Sequence, residues 1–409
     1  MGSILVVSPE NPFPPDSGGR LRTRNVVEIL ARGHDVDILT YEREDAGAAP
    51  ANVRIVAVPR TVTPRGAALR SLRTGRNCGT NSHVDVDFMP RLAELLSARE
   101  HVAVVLEHTM LGHLIDPIRA VRPTVRIVVN AHNVESALTR QIIAAQPTVA
   151  RRAFFTLNHR FTVRNERATL AKADAVITCS NADTERFRAT TPVPAAAIVT
   201  VPNFLAAAGY RFEPPAPRTG PPKAILFGDM QYWPNVRAAH HFHREILPLL
   251  RRRHPDLVWV VAGRNPHATI RAAVADDAGV VVTGAVPRMG DVVHDADVVV
   301  VPLLDGSGTR FKLIEAWALG RPVVSTTIGA EGLEYENGRE ILVADGPAAF
   351  ADATSRVLRD PALAARLAER AHETYRRLYH EEAVAERLLS VVTPEGDEGS
   401  VAPVREHAS

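Results

Sequence analysis

Short, nearly uninterrupted runs of Val, Ile, Leu and Ala alternate along this chain with longer stretches in which apolar residues recur every three or four positions. Runs of the first kind occupy 4–7, 36–40, 53–58, 102–106, 125–130, 175–178 and 197–201, and then 224–227, 257–262, 280–282, 298–301, 322–325 and 341–343. A strand with one solvated face alternates apolar and polar residues. These runs do not, so they predict strands covered on both faces, as in parallel sheets wrapped by helices. The expected fold class is therefore α/β, doubly wound, in two successive units.

Pro202, Pro214, Pro215, Pro217, Pro221 and Pro222 separate the two sets of runs. Such density continues neither a helix nor a central strand. The expected organisation is an N-terminal domain over 1–203, a Pro-rich linker over 204–222, a C-terminal domain over 223–375, a terminal helix over 376–392 and a disordered tail over 393–409. In open parallel sheets ligands bind beyond the carboxyl ends of the strands, which makes a cleft between the two units the expected site.

Bulk properties narrow the function. The 409 residues carry 48 basic and 46 acidic side chains, a net charge of +2, and 5% aromatics. That balance argues against a nucleic-acid partner. Cys78 and Cys179 form no C-x-x-C pair, no signal peptide is legible at the start, and no apolar run spans a bilayer. A cytoplasmic, reduced protein without a transmembrane segment is expected.

The most informative stretch is 297–326, D-V-V-V-V-P-L-L-D-G-S-G-T-R-F-K-L-I-E-A-W-A-L-G-R-P-V-V-S-T. A buried strand enters a loop at Asp305, and a helix is expected from near Thr309 to Gly320, stopped by Pro322. Gly306, Ser307, Gly308 and Thr309 then lie at a helix N-terminus, where free N–H groups and the helix dipole favour an anion. Arg310 and Lys312 put positive charge in the first turn, against the dipole, a conflict that a bound diphosphate would remove. Gly308, Lys312 and Glu315 fall at i, i+4 and i+7, on one helix face. Glu315 is placed to accept hydrogen bonds from ribose hydroxyls. Spacing alone equally describes a tight turn with an exposed Lys312–Glu315 ion pair. The stretch lacks the third glycine of the dinucleotide fingerprint, because Phe311 stands there, and no Gly-Lys-Ser/Thr phosphate loop is present.

In the first half, a Pro-rich loop ends in Gly18 and Gly19 ahead of a helix expected over 20–31. The glycine pair opens a helix at the end of a strand and would suit a phosphate or a donor sugar; alone it also reads as a plain loop-to-helix turn. His132 follows the run 125–130 and faces the expected cleft. No second histidine stands at metal-ligand spacing, so no metal is proposed. Two arginine-rich segments, Arg65 to Arg76 and Arg151 to Arg167, read by default as solvated helix faces; contact with an anionic acceptor or a membrane surface is the alternative.

Taken together these residues resemble the GT-B glycosyltransferases, in particular the retaining family-4 type, over nearly the whole chain. The resemblance is carried by Gly306–Thr326 and by G-A-E-G-L at 329–333. Shorter matches are S-G-G-R-L-R at 17–22, R-G-H-D-V at 32–36, A-H-N-V-E at 131–135, V-P-N at 201–203, W-P-N at 233–235 and V-T-G-A-V at 282–286. It implies two Rossmann-like domains, a terminal helix that crosses back onto the first, and a UDP-sugar or GDP-sugar donor, the UDP form favoured. It further implies that Arg310 and Lys312 hold the diphosphate and Glu315 the ribose. Backbone near Val286 would meet the base, Gly18 and Gly19 would close on the donor, and His132 would lie near the transferred sugar. The nucleotide sugar is a substrate, so no cofactor is expected; the acceptor would be a small molecule or a lipid- or polysaccharide-linked sugar.

The chain departs from the family pattern at two places. Ser307 stands where many members carry a sugar-contacting Glu, eight positions before Glu315. Gly228-Asp229 stands where many carry Gly-Arg, with Trp233-Pro234-Asn235 near the position of a downstream Lys. A sugar-nucleotide epimerase on the same architecture and a non-catalytic nucleotide-sugar-binding protein are the alternatives.

Overall fold

The computed structural model of the chain describes residues 2–42, 49–144, 146–190, 198–206, 209–216, 218–306 and 308–394. Thirteen strands form within two residues of the expected runs: β1 Ser3–Ser8, β2 Asp35–Thr40, β3 Val53–Ala57, β4 His101–Glu107, β5 Arg126–Ala131, β6 Ala175–Thr178, β7 Ile198–Thr200, β8 Lys223–Phe227, β9 Val258–Ala262, β10 Val280–Gly284, β11 Val298–Val301, β12 Val323–Ser325 and β13 Leu342–Val343. They build a seven-stranded sheet in the order β3-β2-β1-β4-β5-β6-β7 and a six-stranded sheet in the order β10-β9-β8-β11-β12-β13. Every pairing is parallel, as expected for strands buried on both faces.

The two sheets share one winding. In each, the first three strands step outward one way and the fourth returns to pair with the first. The reversal lies between β1 and β4 in one sheet and between β8 and β11 in the other. Loops leaving neighbouring strands there diverge to opposite faces and open a crevice at the carboxyl edge. Gly18, Gly19 and Glu107 follow or end β1 and β4, and the loops at Gly228 and Asp305 follow β8 and β11.

The terminal segment ties the sheets together. Helix Pro361–Leu378 packs Leu367, Ala371 and Tyr375 into the second core. The chain then crosses at Tyr379–His380, later than the expected 376. There the N–H of Leu205 donates to Tyr379 O at 2.9 Å and the N–H of Glu381 donates to Leu205 O at 3.1 Å. Helix Glu381–Val392 then packs Val384, Leu388, Val391 and Val392 among Ile4, Val26 and Val128 of the first core. Residues 395–409 of the expected tail lie outside the described residues, as do 207, 208 and 217 of the linker.

Leu388 is fully buried in a core shared with Ile4, Val26 and Val128, more than 250 positions earlier in the chain. Leu388→Ala is expected to lower unfolding stability by about 2–5 kcal/mol in urea titrations. A change near zero would mean that this helix is not part of the first core.

Candidate functional site

The crevice between the sheets encloses a cavity of about 750 Å³, within the range of small-ligand sites. Its floor in the second domain is the loop after β11 and the helix Phe311–Ala318. The helix begins two residues later than expected. Arg310 is its N-cap, with an extended backbone, and Lys312 is in the first turn. Gly306 and Gly308 take φ of +119° and +80°, a region that favours glycine. Ser307, one of the expected donor contacts, lies outside the described residues.

The expected face of Gly308, Lys312 and Glu315 is corrected by this start. Gly308 precedes the helix, so only Lys312 and Glu315 share a helical face, although all three line the cavity. Nor do Lys312 and Glu315 form an exposed ion pair. Lys312 is 8% exposed, and its Nζ donates to Asn235 Oδ1 at 2.7 Å. Glu315 Oε1 accepts from the hydroxyl of Tyr210 at 3.0 Å. Among the described residues Lys312 has no carboxylate within ion-pair distance. Burial pushes its ammonium down to about 7, with Arg310 adding to the shift and Glu315 and Asp229 opposing it. Burial also raises the Glu315 carboxyl, against the hydrogen bond from Tyr210. Arg310 is equally enclosed, at 9% exposed.

Helix Trp233–His241 carries the W-P-N residues and supports this floor. Asn235 holds Lys312, its Nδ2 donates to Asp229 O at 2.8 Å, and Arg237 pairs with Asp305. Val286 sits in the loop after β10 and lines the same cavity beside Ala285.

The facing wall comes from the first domain. Helix Gly18–Leu30 starts at the first glycine, with Ser17 as N-cap, two residues earlier than expected. Gly18 and Gly19 are thus in its first turn. A Cβ on Gly18 would meet the Phe311 ring at 3.5 Å, and one on Gly19 would meet His132 Nδ1 at 3.8 Å. The glycine pair therefore lies between the start of helix Phe311–Ala318 and His132. A Cβ on Gly308 would come within 2.5 Å of Asn133 Oδ1, so the two domains touch here. Thr309 joins that contact. Its hydroxyl donates to Cys179 O at 3.2 Å and its carbonyl accepts from Asn203 Nδ2 at 3.1 Å.

His132 is anchored by a residue the sequence did not single out. Its Nε2 lies 2.5 Å from Oε2 of Glu107, a fully buried carboxylate that ends β4. Glu107 also accepts from Thr23 at 3.1 Å and from Asn130 at 3.0 and 3.1 Å. Burial keeps the imidazole well below its ordinary pKa, with Arg22 adding to the shift, and burial raises Glu107. A neutral His132 that donates from Nε2 presents its Nδ1 lone pair to the space beside Gly19. The ring of His108 lies against His132, tilted by 36° with 3.8 Å between centroids. His108 adopts φ 75°, ψ 144°, a backbone region nearly confined to glycine that costs about 1–3 kcal/mol. Glu107, His108 and Tyr210 escaped the sequence reading, and Arg22 and Asn203 stood in its quoted motifs without an assigned role. One signal was available, the Glu-His pair that closes the apolar run 102–106.

The chain matches known proteins along most of its length. Residues 17–203 match the family model of the glycosyl transferase 4-like domain, and residues 221–360 match that of glycosyl transferases group 1. Glycogen synthase of Mycobacterium tuberculosis is 30% identical over 223 residues, 49% of this chain and 50% of that enzyme. The chain thus spans about half the length of this relative. Among solved structures, sucrose-phosphate synthase from Thermosynechococcus elongatus shares the fold with a TM-score of 0.70 at 19% identity, over 95% of this chain and 97% of that one. Anabaena Alr3699/HepE, solved in complex with UDP and glucose, does so with a TM-score of 0.67 at 12% identity, over 95% and 99% of the two chains.

The buried ammonium of Lys312 makes a prediction for the unliganded protein. Its folded pKa, about 7, lies below the ordinary lysine value of 10.5. Between these values the unfolded chain holds the extra proton, so this group makes stability rise with pH, by up to about 1.4 kcal/mol per pH unit. Urea unfolding at pH 7 and pH 9 is expected to show that gain in the wild type and to lose it in Lys312→Met. Equal pH dependence in both would mean that Lys312 is not desolvated.

Proposed function

The chain belongs to the GT-B glycosyltransferases, and from that premise we propose that it moves a hexosyl group from a nucleoside-diphosphate sugar, a UDP-sugar before a GDP-sugar, to a small-molecule, lipid-linked or polysaccharide-linked acceptor. The transfer retains anomeric configuration and needs neither metal nor cofactor. The observation that carries the reading is the pair of enclosed cations, Arg310 and Lys312, on the cavity floor opposite Gly18, Gly19 and His132. A relative of the same fold is described with UDP and glucose bound.

The chemical difficulty is departure of the diphosphate from the anomeric carbon. Arg310, Lys312 and the first-turn N–H groups of the Phe311 helix stabilise charge as it grows on the leaving oxygen. Preorganised donors in a water-excluded site contribute roughly 3–4 kcal/mol each to such a barrier. Glu315 accepts from the ribose hydroxyls, and backbone at Val286 meets the base. The Nδ1 lone pair of His132 accepts from a hydroxyl of the transferred sugar. The described residues of the cavity offer no carboxylate poised as nucleophile, so retention follows a front-face displacement. The anomeric carbon–phosphate oxygen bond breaks with its electron pair leaving on phosphate. The acceptor oxygen bonds to the same face, and its proton passes to the departing phosphate oxygen.

Calorimetry with UDP and with GDP tests the site. Lys312→Ala and Glu315→Ala are each expected to weaken nucleotide binding roughly tenfold or more, the cost of losing a charged hydrogen-bond partner. Unchanged affinity in both sinks the assignment. Mass spectrometry of donor mixtures tests the reaction. A donor epimerised without acceptor identifies an epimerase, and binding without transfer or slow donor hydrolysis identifies a non-catalytic protein. Activity is expected to survive EDTA, and complete loss would overturn the metal-free mechanism.

A further inference from the structure

Two arginine-rich stretches take no part in the cleft chemistry. Residues 60–84 carry five arginines and no Asp or Glu, and residues 136–165 carry another five and none. The chain as a whole balances 48 basic against 46 acidic residues, so this excess is local. Elsewhere arginines such as Arg119, Arg218 and Arg251 meet carboxylates. Among the described residues no arginine of these two stretches is in an ion pair.

The stretches fold against each other. Arg164 donates to Gly75 O at 2.5 Å, and the N–H of Cys78 donates to Asn158 Oδ1 at 2.8 Å. Both are rooted at the carboxyl edge that holds Glu107 and His132. Thr80 donates to Met110 O just beyond β4, and helix Glu135–Ala144 starts three positions after His132.

Their exposed faces are apolar as well as cationic. Helix Pro64–Thr74 buries Ala67 and Ser71. Its opposite face holds Arg65, Leu69, Leu72 and Arg73, at helical spacing. Leu69 is 65% exposed and Leu72 58%. A helix whose only task is to cover a core carries polar residues there. Helix Val149–Lys172 buries Thr162, Glu166, Thr169 and Leu170, all in its second half. Its first half instead leaves Val149 82% exposed beside exposed Arg151 and Arg152.

We propose that this face docks the protein peripherally on an anionic lipid bilayer. Arginines meet headgroup phosphates while Leu69, Leu72 and Val149 enter the boundary between headgroups and acyl chains. A soluble polyanion would satisfy the arginines and leave the leucines in water. The inference stands apart from the donor chemistry.

The test is co-sedimentation of the full chain with vesicles. Binding is expected to equimolar phosphatidylglycerol and phosphatidylcholine and not to phosphatidylcholine alone, with a decline as salt rises. Leu69→Ser with Leu72→Ser, and separately Arg65→Glu with Arg73→Glu, are each expected to weaken partitioning roughly tenfold or more. Unchanged circular dichroism and nucleotide affinity show that each variant is folded. Absence of wild-type binding to the anionic vesicles overturns the proposal. Binding that the leucine pair leaves unchanged also overturns it, and equal competition by inorganic polyphosphate or RNA then identifies an anionic polymer as the partner.

Discussion

The guanidinium of Arg22 is the tie on which both walls of the cleft depend. It is 2% exposed and donates to Asn130 Oδ1 at 2.7 and 3.1 Å, to Asn203 Oδ1 at 3.0 Å and to Val201 O at 3.1 Å. Each acceptor passes the constraint on. Asn130 donates to Glu107, which holds His132. Asn203 donates to Thr309 O and so fixes the loop that leads into helix Phe311–Ala318. A charge this deep is costly unless its hydrogen bonds are met, and the planar five-donor fork makes four bonds to three acceptors, one more than the three N–H groups of an ammonium could supply. Position therefore propagates from the helix after β1, through one side chain, to the residues expected to face the sugar and to those expected to face the diphosphate.

Burial acts on four ionisable groups at the heart of the site in the same sense, toward neutrality. It lowers Lys312 and His132 and raises Glu315 and Glu107. A phosphate bound beside Lys312 would favour its ammonium form, so that binding there would take up a proton above neutral pH. Such an arrangement spends stability in the free protein on affinity for the ligand, the usual trade at functional sites. The glycine-like backbone of His108, whose ring lies against His132, is a second cost concentrated at the same place.

Much of this was legible in the chain. The Val/Ile runs located all the strands, because strands buried on both faces admit little besides branched apolar residues. The segment running from Gly308 and Thr309 to Arg310 and Lys312 located the cavity floor, because glycines and cations gathered at a helix start form a local signature. What escaped was non-local. Arg22 meets Asn130 and Asn203, 108 and 181 positions away, and Tyr210 reaches Glu315 across 105. No periodicity encodes such partners. The helix starts at Gly18 and Phe311 were each displaced by two residues because caps depend on φ and ψ at single positions, here Ser17 and the extended Arg310.

The departures from the family pattern acquire a physical reason at Lys312. Where many relatives place Gly-Arg and then Lys, this chain has Gly228-Asp229 and then Asn235. Asp229 adds negative charge near the floor, and its effect on Lys312 is to favour the ammonium form. Asn235 holds the ammonium at 2.7 Å through a neutral oxygen. A carboxylate in that position would hold Lys312 equally well but would cancel the charge that a diphosphate needs. Asn235 in turn is fixed by its own bond to Asp229 O, and a Cβ on Gly228 would lie 3.4 Å from Nζ. The loop after β8 and Asn235 thus position the Lys312 side chain through neutral oxygens, with no carboxylate bonded to its ammonium among the described residues.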